Sequence, residues 1–291
     1  MSRILVTGAA GVVGGYVAEV FADHDVVLTD IRGDVERLDV RDAAAVRDRI
    51  VADRPEIVIH LAAATDVDLC EQDHDLAFAT NAIGTQNVAL ACREAGALLV
   101  YTSTAGVFSG EKPDDPYTEF DPPGPANVYG ESKLAGERVV ETLLDRFYIC
   151  RAGWMIGGGP KDKKFVGKLL EIIDGGATKL RAVNDKLGTP TYALDLATGI
   201  RSLIDTGYYG LYHLVNRGGA CTRYDVAVAL VELIDRTDIS IEPVSSAYFP
   251  LPAARARSEA MLNYKLELLG INGQRHWRDA LEWYVRNELG R

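Results

Sequence analysis

Ile4-Leu5-Val6-Thr7-Gly8-Ala9-Ala10-Gly11-Val12-Val13-Gly14 decides the fold: a short apolar run breaks at glycine, and glycine then recurs at every third position. The apolar run reads as a buried strand. Residues 11–22 place Val12, Val13, Tyr16, Val17, Val20 and Phe21 at helical spacing. Gly8 permits a tight turn, Gly11 lets backbone amides approach an anion, and Gly14 lets helix and strand pack closely. The free amides and dipole at the helix start suit a pyrophosphate. A second strand at 25–30 ends in Asp30, 22 residues after Gly8. Strand, glycine turn, helix and strand in this order make the dinucleotide-binding reading specific. An acid at that strand end accepts hydrogen bonds from an adenosine ribose and repels a 2′-phosphate. NAD is therefore favoured over NADP, with Arg32 offsetting part of the repulsion. Asp39 and Val40 are expected at the adenine edge.

The alternation continues. A helix is expected at 42–52, a strand at 57–61, a long helix at 75–95 stopping at Gly96, and a strand at 97–103. Residues 105–127 read as loop, with prolines at 113, 116, 122, 123 and 125. A helix at 127–145 and a strand at 148–151 follow. Strands alternating with helices imply right-handed crossovers and a doubly wound parallel sheet, the Rossmann-type α/β class. After Arg151 the pattern loosens at Gly157, Gly158, Gly159 and Pro160. Mixed short elements lead to a helix at 223–235, a proline-containing stretch at 243–252 and a last helix at 277–289. The expected organisation is a dinucleotide-binding domain over 1–152. Residues 153–291 form mainly a smaller α/β substrate-binding cap, with some segments returning to the sheet.

Composition agrees with a globular chain that needs no staples. It has 291 residues, 47% hydrophobic, and a net charge of -11. A chain of this size buries roughly three quarters of its unfolded surface. The acidic balance argues against nucleic acid and anionic membranes as partners. Cys70, Cys92, Cys150 and Cys221 form no C-x-x-C pair, so they read as reduced, buried thiols of a cytoplasmic protein. No signal-peptide pattern precedes the first strand, and no apolar stretch suits a membrane span. His60 lies within a strand and reads as buried structure. Glu71, Asp73, His74 and Asp75 read as an acidic helix start rather than a metal site. Lys161, Lys163 and Lys164 read as a solvated charge run. No metal is expected.

Tyr129 and Lys133 form a Y-x-x-x-K at the start of a helix, which puts both side chains on one face. A free tyrosine titrates near 10, and a neighbouring ammonium stabilises its phenolate. Thr104 stands 25 positions upstream at a strand end, beside Ser103. In a doubly wound sheet the cleft lies at the carboxyl ends of the strands.

Gly8, Gly11, Gly14, Asp30, Leu61-Ala62-Ala63-Ala64, Asn81, Thr104, Tyr129 and Lys133 together resemble the extended short-chain dehydrogenase/reductase family. Phe108, Pro116-Tyr117-Thr118-Glu119, Pro122-Pro123 and residues 127–137 are similar to its dTDP-4-dehydrorhamnose reductase branch. So are Val183-Asn184-Asp185, Gly188-Thr189-Pro190-Thr191-Tyr192 and Gly210-Leu211-Tyr212-His213-Leu214. The resemblance covers nearly the whole chain. It implies an oxidoreductase that reduces the C4 ketone of a nucleotide-linked 4-keto-6-deoxysugar. Tyr129 would donate the proton, Thr104 would hydrogen-bond the carbonyl oxygen, and Lys133 would lower the Tyr129 pKa and hold the nicotinamide ribose. Cofactor contacts are implied at Gly8, Ala10, Gly11, Val12, Val13, Asp30, Ile31, Arg32, Asp39, Val40, Leu61, Ala62, Ala63, Thr65, Asn81 and Thr102, besides Tyr129 and Lys133. Substrate contacts are implied at Val67, Thr104, Ala105, Trp154 and Arg255, with Arg257 as an equal candidate for the diphosphate. A homodimer also belongs to the expectation.

One departure bears on the substrate. The family usually carries Asp-Tyr directly after the threonine, where this chain has Ala105 and Gly106. The nicotinamide chemistry is untouched, but the sugar is expected to differ from the rhamnose precursor. A dehydratase would want an Asp-Glu pair at the same place. An NAD-dependent nucleotide-sugar epimerase and a non-catalytic dinucleotide-binding regulatory subunit remain open alternatives.

Overall fold

The computed structural model describes residues 1–112, 115–159 and 162–291; Pro113, Asp114, Pro160 and Lys161 lie outside the described residues. Strands β1 (Arg3–Thr7), β2 (Asp25–Asp30), β3 (Glu36–Arg37), β4 (Ile57–His60), β5 (Leu98–Thr104) and β6 (Phe147–Ala152) appear first. β7 (Trp154–Ile156), β8 (Lys179–Val183), β9 (Pro190–Tyr192), β10 (Gly210–His213) and β11 (Ser240–Val244) follow. The main sheet runs in the order β10-β6-β5-β4-β1-β2-β3, and its pairings are parallel. Strand order reverses between β1 and β4. That reversal opens a crevice at the strand ends where ligands bind in such sheets.

The helices are α1 (Val12–Val20), α2 (Ala43–Asp53), α3 (Val67–Gln72), α4 (His74–Phe78), α5 (Gly84–Ala95), α6 (Val128–Leu143), α7 (Phe165–Asp174), α8 (Ala193–Thr206), α9 (Arg223–Leu233), α10 (Tyr264–Leu268) and α11 (Trp277–Trp283). Alternate residues of the strands feed two cores, as the period of two requires. Ile4, Val6, Ile57, Ile59, Val100 and Tyr148 pack with Val17 of α1, Leu196 and Ile200 of α8, and Leu230 of α9. Leu5, Val58, Leu99, Tyr101 and Ile149 pack with Val46 and Ile50 of α2, Val88 of α5 and Val140 of α6. Each fully buried aliphatic side chain on these faces contributes about 1.5–3 kcal/mol.

Of the acidic cluster read as a helix start, Asp73 and Asp75 begin α4, whereas Glu71 falls in the last turn of α3. Asp42 caps α2 through the Ala45 amide at 3.0 Å, and Asp73 caps α4 through the Leu76 amide at 2.9 Å. Gly96 ends α5 in the left-handed conformation, with φ of 72°. The four cysteines are buried free thiols. No helix among the described residues is long and apolar enough to cross a membrane.

Three elements differ from expectation. The helix expected at 75–95 is interrupted by a π-helical turn, Ala79–Ile83. The extra residue aims Asn81 inward, and its amide joins Ala64 and Ser132, so side-chain bonding overrides regular helix. The last helix likewise ends in a π turn, Tyr284–Glu288, where Glu288 accepts from the phenols of Tyr16 at 2.5 Å and of Tyr192. The loosely patterned stretch after Arg151 contains α7, α8 and β10. Strand β10 pairs with β6 at the sheet edge, and α8 packs on α1. Two small parallel sheets, β7 with β9 and β8 with β11, complete that region.

Candidate active site

The glycine turn follows β1. Gly8 has φ of +74°, and a β-carbon there would sit 2.4 Å from the Ala62 nitrogen. A β-carbon on Gly14 would meet the Ala9 carbonyl at 2.2 Å. The turn therefore admits only glycine at both positions, and it packs against residues 61–62 just past β4. Helix α1 begins at Gly11 with no side-chain cap and no acidic residue in its first turn. Gly11 itself is exposed. Those unsatisfied amides fit an anionic diphosphate.

Asp30 closes the far side of the turn. Its two oxygens accept from the amides of Ala10 at 3.1 Å and Arg32 at 2.9 Å. Ile31 and Arg32 are exposed beside it. Asp39 is held by Arg41 at 2.6 Å, which keeps its carboxyl below the usual range. Val40 is buried, its carbonyl taken by Asn87 at 2.9 Å. Leu61, Ala62 and Ala63 are half-buried after β4, and Thr65 is exposed. Asn81 is fully buried, and its amide is spent on Ala64 and Ser132, so it braces the loop after β4 from behind.

The Y-x-x-x-K helix, α6, is fixed at its start. Asn127 caps it through the Gly130 amide at 3.0 Å and donates to the Ala254 carbonyl at 2.9 Å. Glu71 of α3 accepts from the Val128 amide at 3.1 Å. Lys133 is 3% exposed and donates to the Thr102 carbonyl at 2.8 Å. Its ammonium lies 4.1 Å from the centroid of the Tyr101 ring. Burial draws Lys133 down to about 7, although the nearby Glu137 carboxylate pulls it up. Thr102 also leaves a buried hydroxyl without a partner among the described residues.

Burial dominates the electrostatics of Tyr129. Burial pushes its phenol up to about 12, and only hydrogen bonding with Thr104 opposes the rise. Lys133 is not among the groups that move it. Burial therefore favours the donor form of the phenol at neutral pH. Gly106 lies between the pair: a β-carbon there would be 3.5 Å from Thr104 Oγ1 and 3.6 Å from Tyr129 Cδ1. Ala105 is 2% exposed and joins an apolar cluster with Val107, Phe108 and Leu134.

The remaining candidates come from α3 and from residues after 152. Val67 opens α3 half-buried. Trp154 of β7 donates through Nε1 to Glu259 at 3.1 Å. The Glu259 charge reaches Tyr129 and helps raise it. Arg255 is committed within the protein, to Asp68 at 2.9 Å and to the Ala253 carbonyl at 2.8 Å. Arg257, Lys163 and Lys164 are exposed. His60 is buried between the hydroxyls of Thr7 at 2.6 Å and Thr85 at 3.1 Å, and burial draws it down to about 3, so it is neutral. Among the described residues no cluster of His, Cys, Asp or Glu could hold a metal ion.

Glu259 and Arg223 are the residues that sequence reading passed over. Glu259 carries no motif signal, because its place beside Tyr129 depends on a chain reversal more than 100 residues later. Arg223 opens α9 and offered only its charge at a helix start.

Comparison with known proteins follows the same lines. The family model described as RmlD substrate binding domain matches residues 1–289. A dTDP-4-dehydrorhamnose reductase of Streptomyces griseus is 38% identical over 96% of this chain and 91% of its own length. The crystal structure of a dTDP-4-dehydrorhamnose reductase from Clostridium acetobutylicum superposes with a TM-score of 0.91, at 36% identity, over 97% of this chain and 98% of that one. The Bacillus anthracis dTDP-4-dehydrorhamnose reductase in complex with NADP gives 0.90 at 35% identity, over 98% of each chain.

Proposed function

This chain belongs to the RmlD substrate binding domain family, and from that premise we propose that it reduces the C4 ketone of a nucleotide-linked 4-keto-6-deoxysugar with NAD(P)H. In the same reading residues 1–152 bind the cofactor and 153–291 supply mainly the substrate cap. A cytoplasmic location and a homodimer belong to it as well.

The nicotinamide, when bound, supplies the hydride. The chain's own residues do the rest. The uncapped start of α1 and the Gly8 turn hold the diphosphate, and the strand-end acid Asp30 orders the loop that meets the ribose. Tyr129 donates its phenolic proton to the alkoxide that develops at C4. Thr104 hydrogen-bonds the same oxygen. Lys133 holds a ribose and, when charged, stabilises the phenolate left behind. The observation that carries the reading is the geometry of the pair: Tyr129 and Lys133 share one face of α6, and the Tyr129 phenol is hydrogen-bonded to Thr104 at the end of β5. Reduction needs a donor in its acid form at neutral pH, which an ordinary phenol already satisfies and burial reinforces.

Ala105 and Gly106 offer no polar side chain where the family pattern has two. We take the sugar to differ from the rhamnose precursor in its hydroxyls or bulk. Oxidation of NADH and NADPH should be followed with dTDP-, UDP- and GDP-linked 4-ketosugars. Turnover with at least one, lost in Tyr129→Phe, is expected. No oxidation with any sugar would sink the reductase reading in favour of an epimerase or a binding role. Best turnover with the rhamnose precursor would sink the altered-sugar reading alone.

A further inference from the structure

Arg223 is a half-buried cation without a hydrogen-bond or ion-pair partner among the described residues. It is the first residue of α9, after the capping residue Thr222. Its guanidinium carbon lies 3.9 Å from the centroid of the Trp154 ring and 5.0 Å from that of Phe165. Among the described residues it makes no hydrogen bond and no ion pair. Its neighbour Asp225 is already occupied by the Thr222 amide and hydroxyl, at 2.8 and 2.7 Å. Glu259 lies near enough to act on it electrostatically, but that carboxylate accepts from Trp154 Nε1 instead.

Other arginines on this side contrast with it. Arg255 is bound to Asp68, and Arg275 to Asp195 at 2.5 Å. Half-buried guanidinium groups are normally paired, because removing them from water is costly. Burial draws Arg223 down to about 10, which measures that cost and still leaves it charged at neutral pH. The Trp154 and Phe165 rings attract the charge but offer no lone pair to its N–H donors. A planar fork of free donors is what a phosphate oxygen pair fits. The group is also linked to the Tyr129 site. Trp154 joins Arg223 to Glu259, and Glu259 acts on Tyr129.

We propose that Arg223, held by Trp154 and Phe165, is the receptor for the diphosphate of a nucleoside-diphosphate-linked substrate, the role that Arg255 is too fully paired to fill. The inference rests on the nucleotide-sugar reading above, and it names the residue that anchors the nucleotide rather than the reacting sugar.

The test is calorimetric titration of dTDP and UDP into the full chain with the cofactor site saturated by NADP. Arg223→Met keeps the hydrocarbon volume against Trp154 and removes the charge. It should weaken the better nucleoside diphosphate roughly 10- to 100-fold. Arg223→Lys should recover part of that loss. Wild-type affinity should fall with added salt more steeply than that of Arg223→Met. NADP affinity and melting temperature should match wild type in both variants. Unchanged diphosphate affinity in Arg223→Met would overturn the proposal, as would equal salt slopes, or failure of both nucleotides to bind wild type. If the nucleotide binds through Arg223 but no ketosugar is reduced, the reductase reading fails and this one stands. If reduction proceeds with unaltered KM in Arg223→Met, the reverse holds.

Discussion

Glu137 and Arg151 join the middle of α6 to the end of β6 through hydrogen bonds of 2.8 and 2.6 Å. Their side chains are 2% and 4% exposed. Glu137 lies one turn after Lys133, so this pair anchors the helix that carries Tyr129 and Lys133 to the sheet. Removing one partner leaves the other charged and buried. Glu137→Ala should cost about 3–5 kcal/mol. In a chain of this length that is a fall in melting temperature of roughly 5–15 °C. A calorimetric scan that moves by less than about 2 °C would show that the pair does not anchor the helix.

Tyr129→Phe removes the proton donor and keeps the ring. Turnover should fall by about 10²- to 10⁴-fold, the range for loss of a general acid. Cofactor affinity should change little. Thr104→Val should lower kcat less, because it removes one hydrogen bond to the developing oxyanion. Steady-state kinetics with a reducible ketosugar tests both, and comparable losses in the two variants would contradict the assigned roles.

The pH dependence of reduction should be set by Lys133 rather than Tyr129. Lys133 titrates near 7 and Tyr129 near 12. If the charged lysine is needed, kcat/KM declines as pH rises through about 7, and a profile flat to pH 9 would refute that. Stability follows the opposite course. The folded lysine titrates near 7 against an ordinary value of 10.5. Between those values the unfolded chain binds more protons, so stability rises with pH across that window. Lys133→Met abolishes this dependence. The melting temperature of the variant minus that of wild type should therefore be largest near pH 6 and shrink toward pH 10.

Gly8→Ala should abolish cofactor binding and lower stability. Its β-carbon would lie 2.4 Å from the Ala62 nitrogen, at a φ of +74°. Alanine in that conformation costs about 1–2 kcal/mol before any clash. Gly15→Ala is the control, since nothing lies within 4 Å of a β-carbon there. Fluorescence titration with NADH separates the two, and equal affinities would mean that the turn tolerates rearrangement.

Cofactor choice should depend on Arg32 more than on Asp30. Asp30 already accepts two backbone amides, whereas Arg32 is exposed at the strand end. Arg32→Ala should reduce kcat/KM for NADPH about tenfold, equivalent to about 1.4 kcal/mol. The value for NADH should stay within about twofold. Equal losses with both cofactors would assign Arg32 a purely structural part.

Much of this was legible locally. The run from Ile4 to Gly14 specified strand, turn and helix because each requirement is met within one turn of chain. Tyr129 and Lys133 were legible because helical spacing alone puts them on one face. The π turn at Ala79–Ile83 was not, because a local apolar pattern does not register Asn81 bonding to Ala64 and Ser132. The same holds for Glu288, whose partners Tyr16 and Tyr192 stand 272 and 96 residues away.

By itself the sequence determined the doubly wound class, the glycine turn and the Tyr–Lys helix, since these depend on spacing and on backbone conformation. Only the tertiary structure decided the state of the groups. Burial raises the Tyr129 phenol and draws Lys133 down, and neither effect has a sequence signature, because desolvation comes from every element packed around a site. The pairing of the half-buried arginines was decided the same way. Asp68 reaches Arg255 across 187 residues, whereas among the described residues no acceptor bonds Arg223, because a charge is neutralised by whatever the fold brings beside it.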